Sequence, residues 1–189
     1  MRVQNNPNLT SLSGLQNISA TKTFSIWDNE ALTSLADLGA TQVETIGVFN
    51  NDNLVNLNGL QNLSVELSLQ VRDNDALTSL EGVEQITELE RLSIENNDNL
   101  THLDELQNLT AVTLDMRIES NDALTNIEGL AGVSGLADRV AIQYNPNLTS
   151  LNGLQNISDI ETLTIRGNAI TGLGTFGQIT EVNLSLIHI

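Results

Sequence analysis

The stretch NNPNLTSLSGLQNIS at residues 5–19 returns almost letter for letter as YNPNLTSLNGLQNIS at residues 144–158. Each copy carries an asparagine with a leucine three positions later, Asn6 with Leu9 and Asn145 with Leu148. Between them the pair recurs as Asn29 and Leu32, Asn51 and Leu54, Asn74 and Leu77, Asn97 and Leu100, and Asn121 and Leu124, at a spacing of 22 to 24 residues. A short unit repeated end to end predicts a solenoid, in which each unit buries its apolar side against its neighbours.

Ahead of each asparagine the apolar residues alternate: Phe24 and Ile26, Ile46 and Val48, Leu69 and Val71, Leu92 and Ile94, Met116 and Ile118, Val140 and Ile142, Leu163 and Ile165. Period two over a short stretch predicts a strand with one buried side. After the asparagine the beat becomes three, as in Leu9, Leu12, Leu15 and Ile18, or Leu148, Leu151, Leu154 and Ile157. That beat fits a 3₁₀-like or extended return path, because an α-helical stripe needs mixed spacings of three and four.

Stacked coils place like residues in columns about 4.8 Å apart, the separation of paired strands. Roughly five or six aliphatic side chains per coil, at about 1.5–3 kcal/mol each, stabilise the stack against the entropy of ordering its backbone. The asparagine ladder, Asn6, Asn29, Asn51, Asn74, Asn97, Asn121, Asn145 and Asn168, stands where the strand turns inward. A short amide side chain there can bond the backbone groups that the turn frees. Gly14, Gly59, Gly82, Gly129 and Gly153 form a second column, expected at backbone of positive φ or close approach.

Ile160-x-x-Leu163-x-Ile165-x-x-Asn168-x-Ile170 reads as the core of a leucine-rich repeat, and Leu89-x-x-Leu92-x-Ile94-x-x-Asn97-x-x-Leu100 is the same with one residue inserted. The segments quoted above resemble bacterial surface proteins of the receptor L-domain-like group. The resemblance implies a mainly β, right-handed leucine-rich-repeat or β-solenoid fold of about eight coils of 22–24 residues, with one parallel sheet and little helix. It also implies a secreted or surface-anchored recognition module. It does not name a ligand, since this architecture hosts many.

Met1-Arg2-Val3-Gln4 stands before Asn6 as Met116-Arg117-Ile118-Glu119 stands before Asn121, so the chain opens within a repeat strand. At the other end the phase runs through Ile179, Val182 and Leu184 and then fails, because Ile187 falls where asparagine belongs. The expectation is a repeat solenoid over residues 1–184, truncated at both ends, with residues 185–189 a non-native tail.

Hydrophobic residues make up 40% of the 189 and aromatic ones only 3%, so the interior must be aliphatic, as narrow coils require. Seven Lys and Arg face 24 Asp and Glu, a net charge of −17. Such a balance disfavours nucleic acid and anionic membrane, and suits cationic partners or divalent ions. No apolar run reaches the length of a membrane span, so direct membrane insertion is not expected. The absence of cysteine excludes disulfide and thiolate–zinc sites.

The outward strand residues are the expected binding face. Two positions before each asparagine come Gln4, Trp27, Phe49, Arg72, Glu95, Glu119, Gln143 and Arg166; four before come Arg2, Ser25, Gly47, Gln70, Ser93, Arg117, Ala141 and Thr164. Trp27 and Phe49, adjacent in one column beside Arg72, resemble an anchor cluster for a protein or a sugar ring. The competing reading is two large residues that merely shield the sheet. After the asparagines runs an acidic column, Glu30, Asp52, Asp75, Asp98 and Asp122. Calcium is the minor reading for it, because carboxylates at this spacing repel by only about 0.9 kcal/mol in water and need no metal.

Thr10, Thr33, Thr78, Thr101, Thr125, Thr149 and Thr171 form another column, expected to hydrogen-bond within the turn. Asn8, Asn17, Asn62, Asn99, Asn108, Asn147 and Asn156 lie in sequons that the repeat itself generates, so they imply no glycan. Catalysis has no constellation: His102 replaces a Ser or Asn of other repeats, and neither a phosphate loop nor a nucleophile–base pair is present. The sequence therefore reads as a noncatalytic recognition or adhesion module of a secreted or cell-surface protein, without cofactor, binding a protein or polysaccharide through the strand face. The alternatives are a structural spacer with no ligand, or the accessory part of a polysaccharide-active enzyme.

Overall fold

A computed structural model describes residues 1–18, 20–36, 38–39, 41–173, 181–182 and 187–188. Eight parallel strands follow one another in chain order: β1 (Arg2–Gln4), β2 (Ala20–Trp27), β3 (Thr41–Phe49), β4 (Leu63–Arg72), β5 (Glu88–Glu95), β6 (Ala111–Glu119), β7 (Gly135–Gln143) and β8 (Ile157–Arg166). Each pairs only with the strands of the coils before and after it, which is the topology of a solenoid. The eight strands bound seven turns, against the roughly eight coils that the repeat count suggests. Among the described residues helix is confined to three single 3₁₀ turns, Leu60–Asn62, Asp104–Leu106 and Glu128–Leu130.

β9 (Glu181–Val182) and β10 (Ile187–His188) both pair with β8. Val182 lies opposite Ile160 and Ile187 opposite Ile165, a step of 22 residues. The sequence phase had matched Val182 to Leu163 and Ile187 to the asparagine position. Pairing shifts that phase by three residues. Ile179 and Leu184 lie outside the described residues.

The three-residue beat is visible in the backbone. The amide of Leu100 donates to Asn97 O, that of Leu106 to Leu103 O and that of Leu109 to Leu106 O, at 2.9–3.0 Å. These leucines close tight turns onto the apolar residue, or the asparagine, three before them, which satisfies their amides inside the coil. Leu77, Leu80, Val83, Ile86, Leu89, Leu92 and Ile94 are all buried in one coil, seven where five or six are expected.

The ladder asparagines close the other side of each coil. Asn74 Nδ2 donates to Arg72 O at 2.8 Å and to Val48 O of the preceding coil at 3.1 Å, while its Oδ1 accepts the backbone amide of Asn51 at 3.1 Å. Asn97 and Asn121 repeat the same three bonds, and Asn29 through Asn145 are fully buried. Asn6 is exposed and Asn168 half-buried.

The chain reversal itself lies one residue earlier than the sequence suggests. Asn5, Asp28, Asn50, Asp73, Asn96, Ser120, Tyr144 and Gly167 all take φ between 51° and 66°. Asn, Asp and Gly enter this left-handed region at least cost, which explains most of the column. In the glycine column, Gly59 has φ 120° and a Cβ there would stand 1.9 Å from Leu35 O. Gly129 lacks the positive φ and answers only the close-approach demand, with Leu103 O 1.9 Å from a Cβ.

Candidate functional site

Strand pairing turns the sequence columns into physical rows. Gln4, Trp27, Phe49, Arg72, Glu95, Glu119, Gln143 and Arg166 stand opposite one another in unbroken succession. The row two residues earlier, from Arg2 through Ser25 and Gly47 to Thr164, runs alongside it. Trp27, Phe49 and Arg72 are half-buried, so they lie along the sheet more than they project from it. Gly47, Ser93 and Ala141 of the second row are covered by their neighbours.

Trp27 and Phe49 are held by different means. Trp27 Nε1 donates to Gln4 Oε1 at 2.7 Å, which fixes the indole across to β1. The Phe49 ring lies over Gly47: a Cβ on Gly47 would stand 2.4 Å from Cε2 and 2.6 Å from Cζ. Only a glycine leaves room for the ring to lie back on its own strand. Arg72 donates from Nε to Ser93 Oγ at 3.0 Å and lies 3.4 Å from Glu95 Oε1. Farther along, Gln143 Nε2 donates to Glu119 Oε1 at 3.2 Å, and the Arg166 guanidinium sits 5.3 Å from the Tyr144 ring centre. Arg2, Ser25, Trp27, Phe49, Arg72 and Asp73 line an open groove on this face.

A second groove runs along the turn edge, lined by Asp28, Glu30, Asp52, Asp73 and Asp75 together with Asn5, Pro7 and Asn50. Here the acidic column lies beside the left-handed column that precedes the ladder. Partial burial, and then Asp75, Glu30, Asp28 and Asp73, raise the carboxyl of Asp52 above the ordinary aspartate range. Asp98 is raised by the same burial, and then by Asp122 and Asp75. Asn50 Nδ2 donates to Asp28 Oδ1 at 2.8 Å and Asn96 Nδ2 to Asp73 Oδ1 at 2.8 Å, so amides alternate with carboxylates and relieve part of the repulsion. Among the described residues no group of three or more His, Asp or Glu is placed to hold a metal ion.

The threonines correct their sequence reading. Thr78 Oγ1 donates to Val55 O at 3.2 Å and Thr125 Oγ1 to Thr101 O at 3.1 Å, each to the preceding coil and not within its own turn. Several sequon asparagines are used in the same way. Asn99 donates to Asp75 O, Asn108 to Glu84 O, Asn147 to Asp122 O and Asn156 to Ala131 O, at 2.7–2.8 Å. These columns tie coil to coil along the return path, a role that spacing alone does not reveal. His102 occupies the column where Ser79 Oγ and Asn126 Oδ1 accept a backbone amide two residues on. Its Nδ1 lies 3.6 Å from Asp104 Oδ2 and 3.7 Å from Glu105 Oε2.

No family model, no characterised protein and no solved structure matches this chain. Among the described residues no helix is long and apolar enough to cross a membrane.

Proposed function

We propose that the protein is a noncatalytic recognition or adhesion module that engages a protein or polysaccharide through its strand face. The observation that carries this reading is the placing of Trp27 and Phe49 side by side on adjacent strands, next to Arg72, in an open groove. Aromatic and arginine side chains supply contact area at low entropic cost and dominate recognition surfaces. Flat sheet faces of stacked coils serve extended ligands, because the row of side chains continues from coil to coil. A secreted or cell-surface setting accords with the leucine-rich-repeat resemblance of the motif and is part of this proposal.

A glycan and protein array probed with the wild type and with the Trp27→Ala, Phe49→Ala double variant tests it. Loss of the bound features in the variant is the expected result. Equal binding by both proteins would sink the aromatic cluster as the binding site, and binding by neither would favour a spacer that displays other domains.

A further inference from the structure

We infer that the strand face takes an anionic polysaccharide whose carboxylates repeat along the direction of coil stacking; this rests on the reading of that face as the recognition surface. The chain holds seven cationic side chains against 24 carboxylates. Six of the seven, Arg2, Arg72, Arg91, Arg117, Arg139 and Arg166, occupy the outward strand positions two, four and six residues before the ladder asparagine. Only three carboxylates, Glu95, Asp115 and Glu119, share those rows. With Glu90, which stands 3.5 Å from Arg91, the face carries six cations against four carboxylates on a molecule of net charge −17. The remaining surface holds the entire negative excess and repels a polyanion, which leaves the strand face as the surface complementary to one.

The arginines are spread in a way that suits a linear ligand. Coils about 4.8 Å apart set Arg2 on β1 and Arg166 on β8 about 34 Å from each other. Arg72, Arg91, Arg117 and Arg139 fall on the four successive strands between β3 and β8. Guanidinium groups bind carboxylates through paired N–H donors, and they are weakly hydrated enough to do so at a surface. Arg2 and Arg166 have no carboxylate within 4.0 Å among the described residues. Arg91–Glu90 at 3.5 Å is an exposed pair worth about 0–1 kcal/mol, so a ligand carboxylate can displace the internal one, whereas Arg72–Glu95 at 3.4 Å is more buried and is tied together by Ser93.

Two features favour a sugar over an acidic peptide. The Phe49 ring packs against Gly47 and stays half-buried in the groove, and Trp27 adjoins it on the neighbouring strand, so the two offer an aromatic platform. Pyranose rings present C–H faces to such platforms, and a uronate adds a carboxylate to every ring. Arg2 and Arg72 line the same groove and stand ready for those carboxylates.

The test uses the chain's one tryptophan, Trp27, whose emission reports on the groove. The protein is titrated with an oligogalacturonate of about eight rings, with its methyl ester and with poly-L-glutamate, at about 50 and about 300 mM NaCl. Expected are saturable binding of the oligogalacturonate that weakens about tenfold with salt, and at least about tenfold weaker binding of the methyl ester and the peptide. Arg2→Gln with Arg166→Gln, which breaks no ion pair found among the described residues and gives up only the Arg166–Tyr144 ring contact, should weaken the uronate about fivefold or more while moving thermal unfolding only slightly. No binding of the uronate, equal binding of its ester or of the peptide, or an unaffected Arg variant overturns the inference. If the array instead shows a neutral glycan or a protein held through Trp27 and Phe49, recognition by the face stands and the anionic ligand falls. If no array feature depends on the face, both fall.

Discussion

The ring of Phe49 rests on the bare backbone of Gly47, two residues before it on β3. No positive φ demands glycine there, so the absent Cβ serves the ring alone. Gly47→Ala should therefore lift the Phe49 ring and cost binding as much as Phe49→Ala does. Thermal unfolding should move little, since alanine is the better strand residue of the two. Ligand titration beside a melting curve checks this; unchanged affinity in a folded Gly47→Ala protein would mean that the ring is no platform.

Asn74→Ala removes one side chain and takes a partner from two buried backbone groups, Val48 O and the amide of Asn51, while Arg72 O keeps the amide of Asn50. At about 1–3 kcal/mol for each unsatisfied group, the expected loss of stability is about 2 kcal/mol or more. Asn6→Ala, at the exposed member of the ladder, should cost less than about 1 kcal/mol. Chemical denaturation of the two variants reads the difference.

The ladder and the coil period are legible in the sequence because each is a local rule repeated eight times. The residue before the ladder is harder to read, since its constraint is backbone φ and its types vary from Asn to Tyr. Ser120 and Tyr144 hide the column that Asn5, Asp28, Asn50 and Asp73 would otherwise announce. The arginine face was not visible for another reason. Successive members lie 19 to 70 residues apart in the chain, and only strand register aligns them; the clue is that all stand at even offsets before a ladder asparagine.

Ser120 holds φ 55° without the amide or carboxylate that makes this region tolerable. Ser120→Asn matches the rest of its column and should raise stability by about 0.5–1 kcal/mol. A higher melting temperature with an unchanged denaturant slope is the expected outcome.

Asp52 and Asp98 are raised above their ordinary value by burial and by neighbouring carboxylates. A carboxyl raised on folding binds its proton more tightly in the native state, so its ionisation weakens the fold. From these two groups, stability should rise as pH falls from neutral through their folded values, and stop rising below the unfolded 3.8. Asp52→Asn should raise the melting temperature at pH 7 and flatten its rise on mild acidification, and added salt should shrink the gain. A melting temperature that falls between pH 7 and pH 5 equally in wild type and variant would contradict this account.

Asn74 takes the amide of Asn51 and returns its own protons to Val48 O and Arg72 O, and Asn97, Asn121 and Asn145 do the same, so the middle coils are each sealed by atoms of the next in one pattern. One segment, cut anywhere and rejoined at the matching point of its neighbour, would meet the same partners. Such a molecule can be lengthened or shortened by whole turns without redesign, and the reach of its face becomes a matter of how many are inserted.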